Sequence, residues 1–232
     1  MKDAIFCWSG GKDSALALHR VIESGSHNII FLMTTISKEF KRVSMHGIRE
    51  ELLDRQAASL NIPLKKLYLE SSSSNDQYDT AMREFLRPWS RRGVDTVVFG
   101  DINLADLREY RESRLRELDM TAHFPLWNEP TSRLIGEFID LGYSSVCCSA
   151  DEAMNGENLV GETLSGAFLD RLPEGADPCG ENGEYHSFAY DGPLFHHEIS
   201  FKRAEKVRRV FPSSTGALDA KDHVYWYIDL LP

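Results

Sequence analysis

The first half of the chain alternates short apolar runs with stretches in which apolar residues recur every three or four positions. Strands alternating with amphipathic helices give a parallel sheet covered on both faces. Residues 4–8 read as a first strand and 13–23 as a helix stopped by Gly25. A second strand at 28–35 is rich in β-branched and aromatic side chains and is followed by a helix over 47–60. The third strand spans 64–69, the polar run 71–76 leads into a helix ending near Arg91, and 94–99 is a fourth strand closed by Gly100. A helix over 104–118 and a short strand before Pro125 complete the series. The pattern predicts an α/β fold built on an open, doubly wound, mainly parallel five-stranded sheet of Rossmann-like type.

After Pro125-Leu126-Trp127-Asn128-Glu129-Pro130 the texture changes. A helix at 131–141 and a strand at 144–148 precede a loop rich in Gly, Asp, Glu and Asn, and from His186 alternating segments follow at 186–190, 195–201, 206–211 and 223–230. Asp191-Gly192-Pro193 and Ser213-Ser214-Thr215-Gly216 read as turns between them. A smaller α+β lobe is expected, with a boundary near residue 128 that divides the chain into domains over 1–128 and 129–232.

Composition narrows the class. The 232 residues are 42% hydrophobic and 27% charged, which excludes disordered and collagen-like chains. With 36 acidic residues against 26 Lys and Arg, the net charge of -10 provides no global field toward nucleic acid or an anionic membrane. Any polyanion must therefore be held locally. The longest clean apolar run, 29–33, falls far short of the roughly 18 residues of a membrane span. Nothing at the N-terminus resembles a signal peptide, so a soluble cytoplasmic protein is expected, with room for a homo-oligomer. Cys7, Cys147, Cys148 and Cys179 have no metal-ligand spacing and read as reduced, mostly buried thiols.

The most informative string is Ser9-Gly10-Gly11-Lys12-Asp13-Ser14, between the first strand and the first helix. Two glycines let the backbone curl close to a ligand, and the helix start offers free N–H groups and the positive end of a dipole. Lys12 adds a formal charge, Ser9 and Ser14 add hydroxyls, and Asp13 would cap the helix or hold magnesium. Neither a Walker A loop nor a G-x-G-x-x-G fingerprint fits these residues.

This string resembles the PP-loop of the N-type ATP pyrophosphatases, HUP-class enzymes that split ATP between its α and β phosphates. Further motifs resemble the diphthine-ammonia ligase family: Met45-His46-Gly47, Gly100-Asp101-Ile102, Pro125-Leu126-Trp127, and above all Gly180-Glu181-Asn182-Gly183-Glu184-Tyr185-His186-Ser187-Phe188 followed by Asp191-Gly192-Pro193-Leu194-Phe195. Archaeal and eukaryotic members resemble Glu-Gly-Gly-Glu-Phe-Glu-Thr at the late motif, so a bacterial-type branch looks closer. The resemblance implies ATP and magnesium as cofactors, a small-molecule or protein-borne carboxylate acceptor, and ammonia as partner. The implied reaction is adenylation of the acceptor, with release of pyrophosphate and then AMP as the amide forms. A tRNA-modifying enzyme and a non-catalytic adenine-nucleotide sensor are the rival readings.

On this reading the ATP site comprises Ser9 to Ser14, Met33 and Thr34 at the end of the second strand, His46, and Gly100-Asp101 at the end of the fourth. Asp101 reads equally as a magnesium ligand, alongside Asp13, or as a helix cap. Arg111 borders the apolar stripe of its helix and is expected to face inward toward an anion. Lys12 and Asp13 are the catalytic candidates of the loop. Glu181, Glu184 and His186 are those of the late motif, with the two glutamates expected to bind magnesium or ammonia or to act as general base. Arg83, Arg87, Arg91 and Arg92 on one helix and Arg108, Arg114 and Arg116 on the next would support RNA binding only if the two groups met.

Overall fold

The first strand, β1 (Lys2–Cys7), shows how the sheet is built: Ala4 and Phe6 enter one buried cluster while Ile5 enters the other. That period-two split requires cover on both faces. It comes from the crossovers between β1, β2 (His27–Ser37), β3 (Leu64–Leu69), β4 (Thr96–Val98) and β5 (Thr121–His123), which pair in parallel in the order β3-β2-β1-β4-β5. Helices α1 (Lys12–Ser24) and α2 (Glu50–Leu60) cover one face, and α3 (Asn75–Ser90) and α4 (Ala105–Arg116) the other. The α/β doubly wound sheet is therefore as expected. The computed structural model describes residues 1–43, 46–70, 73–211 and 223–232, so Met45, Ser71, Ser72 and the turn at 213–216 lie outside the described residues.

Local chemistry sets the ends of these elements. α1 stops at Gly25 in the left-handed region, and α3 starts with a reciprocal capping box between Ser74 and Gln77. α2 begins at Glu50 rather than 47, because Gly47 has a φ of 68° and Arg49 is extended. The fourth strand is shorter than its apolar run, with Val94 and Phe99 buried in the flanking turns.

Helix α5 (Thr131–Asp140) leads into an antiparallel sheet of β6 (Ser144–Asp151), β7 (Tyr185–Asp191), β8 (Lys202–Phe211) and β9 (His223–Leu231), ordered β7-β6-β9-β8. The expected strand at 195–201 is absent. Its alternation of buried Phe195 and Ile199 with polar neighbours has another cause: the backbone there docks on the end of α2. Ser59 O accepts from His196 N at 3.0 Å and the Ser59 hydroxyl donates to His197 O at 2.6 Å. No helix among the described residues is long and apolar enough to cross a membrane.

The two sheets share one core, since a single cluster runs from Ala4 and Leu53 to Phe188 and Leu230. Polar bonds close the seam. Ala189 N donates to Gly10 O at 2.9 Å, and Lys12 N donates to the Ser187 hydroxyl at 3.1 Å. Between them stands Gln56, 0% exposed, whose Oε1 accepts from Trp8 Nε1 at 2.8 Å. Its Nε2 donates to Gly10 O at 2.9 Å and to Ala189 O at 2.6 Å. Gln56→Leu keeps the volume but leaves a buried indole N–H and a backbone carbonyl short of partners, so urea unfolding should show a loss of at least about 2 kcal/mol.

Candidate active site

The chain leaves β1 toward the sheet's topological switch point between β1 and β4, where open α/β sheets bind ligands. Gly10 turns it with a φ of 82°. The loop braces itself: Gly11 N donates to the Ser9 hydroxyl at 3.3 Å, Ser9 and Ser14 hydroxyls meet at 3.1 Å, and Ser14 donates to Gly11 O at 2.9 Å. Gly11 is the N-cap of α1 and carries no side chain to cap it. First-turn amides lack carbonyl partners within the helix, which suits this end to an anion.

A cleft of about 530 Å³ opens over the loop. It is lined by Ser9, Lys12, Asp13, Ser14, Met33, Thr34, His46, Gly100, Asp101, Arg111, Glu181 and His186, so most residues singled out in the sequence do converge. Gly10, Gly11 and Glu184 are not among its lining residues. Lys12 is only 4% exposed; its Nζ lies 2.8 Å from Asp13 Oδ2 and donates also to the Cys179 carbonyl. Burial is the largest influence and would lower the lysine pKa, but the Asp13 charge and hydrogen bond together with Tyr185 and Cys179 outweigh it, and the group is held above its ordinary range as a cation.

On the β4 side of the cleft, Asp101 follows β4 and meets Arg111 of α4, Nε to Oδ2 at 2.8 Å and NH2 to Oδ1 at 3.2 Å, with the guanidinium 4.3 Å from the Phe99 ring centre. Arg111 faces inward, as its position on the helix stripe predicts. Its charge is already matched by Asp101, however, through one hydrogen bond and one ion contact, which makes it a stacked ion pair rather than a free anion receptor. Gly100 packs against the start of α1: a Cβ there would stand 3.1 Å from Ser14 N. Thr34 is buried at the end of β2.

The opposite wall is the late motif. Burial, with Asp13 adding to it, pushes the Glu181 carboxyl up to about 7. His46 and His186 stack with ring centres 4.7 Å apart and planes 19° from parallel. Burial lowers His186 to about 4, with Lys12 contributing, and burial and His186 lower His46 as well, so both rings are neutral at pH 7. Glu184 is placed differently from the expectation. It is 6% exposed, and its carboxylate accepts from Asp177 N at 2.8 Å, Asn182 N at 2.9 Å and Asn182 Nδ2 at 3.1 Å. A carboxylate consumed by its own loop is not a base facing the cleft.

Gln56, Ser187 and Asp177 were not singled out in the sequence. A buried glutamine inside an amphipathic helix carries no signal of its own; the docking of β7 gives Gln56 its partners. As for metal, Asp13 is paired with Lys12 and Asp101 with Arg111, and no group of three potential ligands is assembled among the described residues. The two arginine groups do meet, but through acids: Arg83 pairs with Glu117 at 3.1 Å and Arg114 with Asp79 at 2.8 Å. These arginines are thereby neutralised.

The imidazoles generate an acid-stability prediction. The unfolded chain takes up the His186 proton near pH 6.5 and the folded one only near about 4. Stability contributed by the neutral ring is complete above 6.5 and declines as pH falls toward 4. His186→Phe keeps a stacking ring without a titrating nitrogen. Thermal melts between pH 7 and 4 should therefore show a shallower decline for the variant, and parallel curves would contradict the assignment.

The family model for the diphthamide synthase N-terminal domain matches residues 1–122, and that for the diphthamide synthase C-terminal domain matches residues 130–224. A diphthine–ammonia ligase of Danio rerio is 26% identical over 221 residues, covering 86% of each chain. The enzyme of that name from Homo sapiens is 24% identical over 222 residues, covering 86% of this chain and 82% of that one. Among solved structures, a U34-tRNA thiolase from Methanococcus maripaludis aligns with a TM-score of 0.36 at 18% identity, over 61% of this chain and 57% of that one. With both of its halves matched in order, the chain belongs to the diphthamide synthase family.

Proposed function

We propose that this protein is an ATP-dependent ligase that adenylates a carboxylate, releases pyrophosphate, and passes the activated acyl group to ammonia with loss of AMP. The observation that carries the reading is a buried, cationic Lys12 at the start of α1, facing a 530 Å³ cleft at the switch point of the sheet. The family's curated relatives, named diphthine–ammonia ligases, supply the class of bond formed.

The residues divide the work. The Lys12 ammonium and the first-turn amides of α1 other than that of Lys12, which Ser187 takes up, are fixed donors toward oxygens that gain charge as pyrophosphate departs. Thr34 and Met33 lie where the base and sugar would rest, and the Arg111–Asp101 pair closes that end. Magnesium fits as an ion carried on the triphosphate, because such ions use one or two carboxylates plus phosphate oxygens rather than a protein cage. Asp13 and Asp101 would hold it and Glu181 would face it, and the ion would supply neutralisation of phosphate charge. The Glu181 wall and the stacked His46 and His186 enclose the acceptor side, where exclusion of water protects an acyl adenylate. Glu181, raised to about 7, is the base that takes the proton from the attacking amine.

Product analysis after incubation with magnesium-ATP and a carboxylate acceptor should give AMP and pyrophosphate in equal amounts, with ADP and phosphate overturning the reading. Lys12→Ala should cut pyrophosphate release at least about a hundredfold while circular dichroism stays unchanged.

A further inference from the structure

Residues 177–184 form a loop pinned at nearly every position. Besides the three bonds that Glu184 accepts, Asp177 Oδ1 accepts from Cys179 N at 2.8 Å and Glu181 N at 3.3 Å, and Asp177 Oδ2 accepts from the Thr131 hydroxyl at 2.7 Å. Tyr185 donates to Pro178 O at 2.7 Å and Tyr225 to Gly183 O at 3.0 Å. The pinned loop lines the cleft with Cys179, Gly180, Glu181 and Gly183, and its Cys179 carbonyl accepts from Lys12 Nζ.

An ammonium carries three donors on a flexible stem. Asp13 takes one and Cys179 O a second, one from each half of the chain, and the Tyr185 ring flanks the group at 5.1 Å. The third proton remains for a ligand oxygen. We propose that Asp177 and Glu184 are positioning residues that act on the reacting phosphates only through the Cys179 carbonyl and Lys12. The inference rests on the adenylating reading and gives the second glutamate of the late motif a role without substrate contact. A donor fixed in advance favours the transition state, where charge accumulates, over ground-state binding. Loosening the loop should therefore lower kcat and spare ATP binding.

The test uses the whole protein labelled with 15N at lysine Nζ. Its Lys12 ammonium should give a discrete, slowly exchanging signal, assigned by its loss in Lys12→Ala. Glu184→Gln and Asp177→Asn should each broaden or abolish that signal. Pyrophosphate release from magnesium-ATP, with water standing in for the acceptor, should fall about tenfold to a hundredfold in kcat, while the KM for ATP stays within about threefold. Asp177→Asn is isosteric and keeps the test open if Glu184→Gln fails to fold. Glu181→Gln, which changes a side chain that makes none of these bonds and keeps the Glu181 N–H bond to Asp177, should keep the ammonium signal. An unchanged Lys12 signal in both loop variants overturns the proposal, as does a raised KM with kcat preserved. If the signal responds as expected but ADP is the product, the placement of Lys12 is supported and the adenylating reading falls.

Discussion

A buried ammonium must be matched, because removing a charge from water costs more than almost any other step in folding. Lys12 is matched from two directions, by Asp13 beside it in sequence and by a carbonyl 167 residues later. Much of the architecture serves that arrangement. β7 docks on the loop so that Ser187 and Ala189 take up its backbone, Gln56 fills the gap, and the 177–184 loop folds on two buried or half-buried carboxylates to turn Cys179 O the right way. A nucleotide site of this kind belongs to neither half of the chain.

The charge balance follows the same logic. The protein carries a net charge of -10, yet its cleft fixes a cation where phosphates would bind. Acids there are committed in pairs, Asp13 to Lys12 and Asp101 to Arg111, while Glu181 titrates near neutrality. Local geometry, rather than net charge, sets the field that a ligand meets.

Much of the fold was legible because its signals are periodic. Alternating strands and helices, Gly25 as a stop and the polar run ending in the α3 cap all appear where the pattern puts them. The segment 195–201 failed for a physical reason: alternation reports which side chains are buried, and here they are buried by docking on α2, without a strand partner. At the site, the loop residues and the glutamate at 181 were readable from composition and resemblance. Glu184 was not, because a carboxylate that caps its own loop and one that faces a substrate are written alike. Gln56 was invisible for the opposite reason: its three partners are brought together only by tertiary contact.

The bond from Ala189 to Gly10 has a consequence for how the protein is made. On the ribosome the loop at residues 9–14 emerges early, but Ser187 and Cys179, which take up its backbone and share its lysine with Asp13, are synthesised 175 and 167 residues later than Lys12. Closing a contact across 175 residues is slow compared with local helix formation. A chain truncated before β7 would carry the motif without the Ser187 and Ala189 bonds that hold the loop.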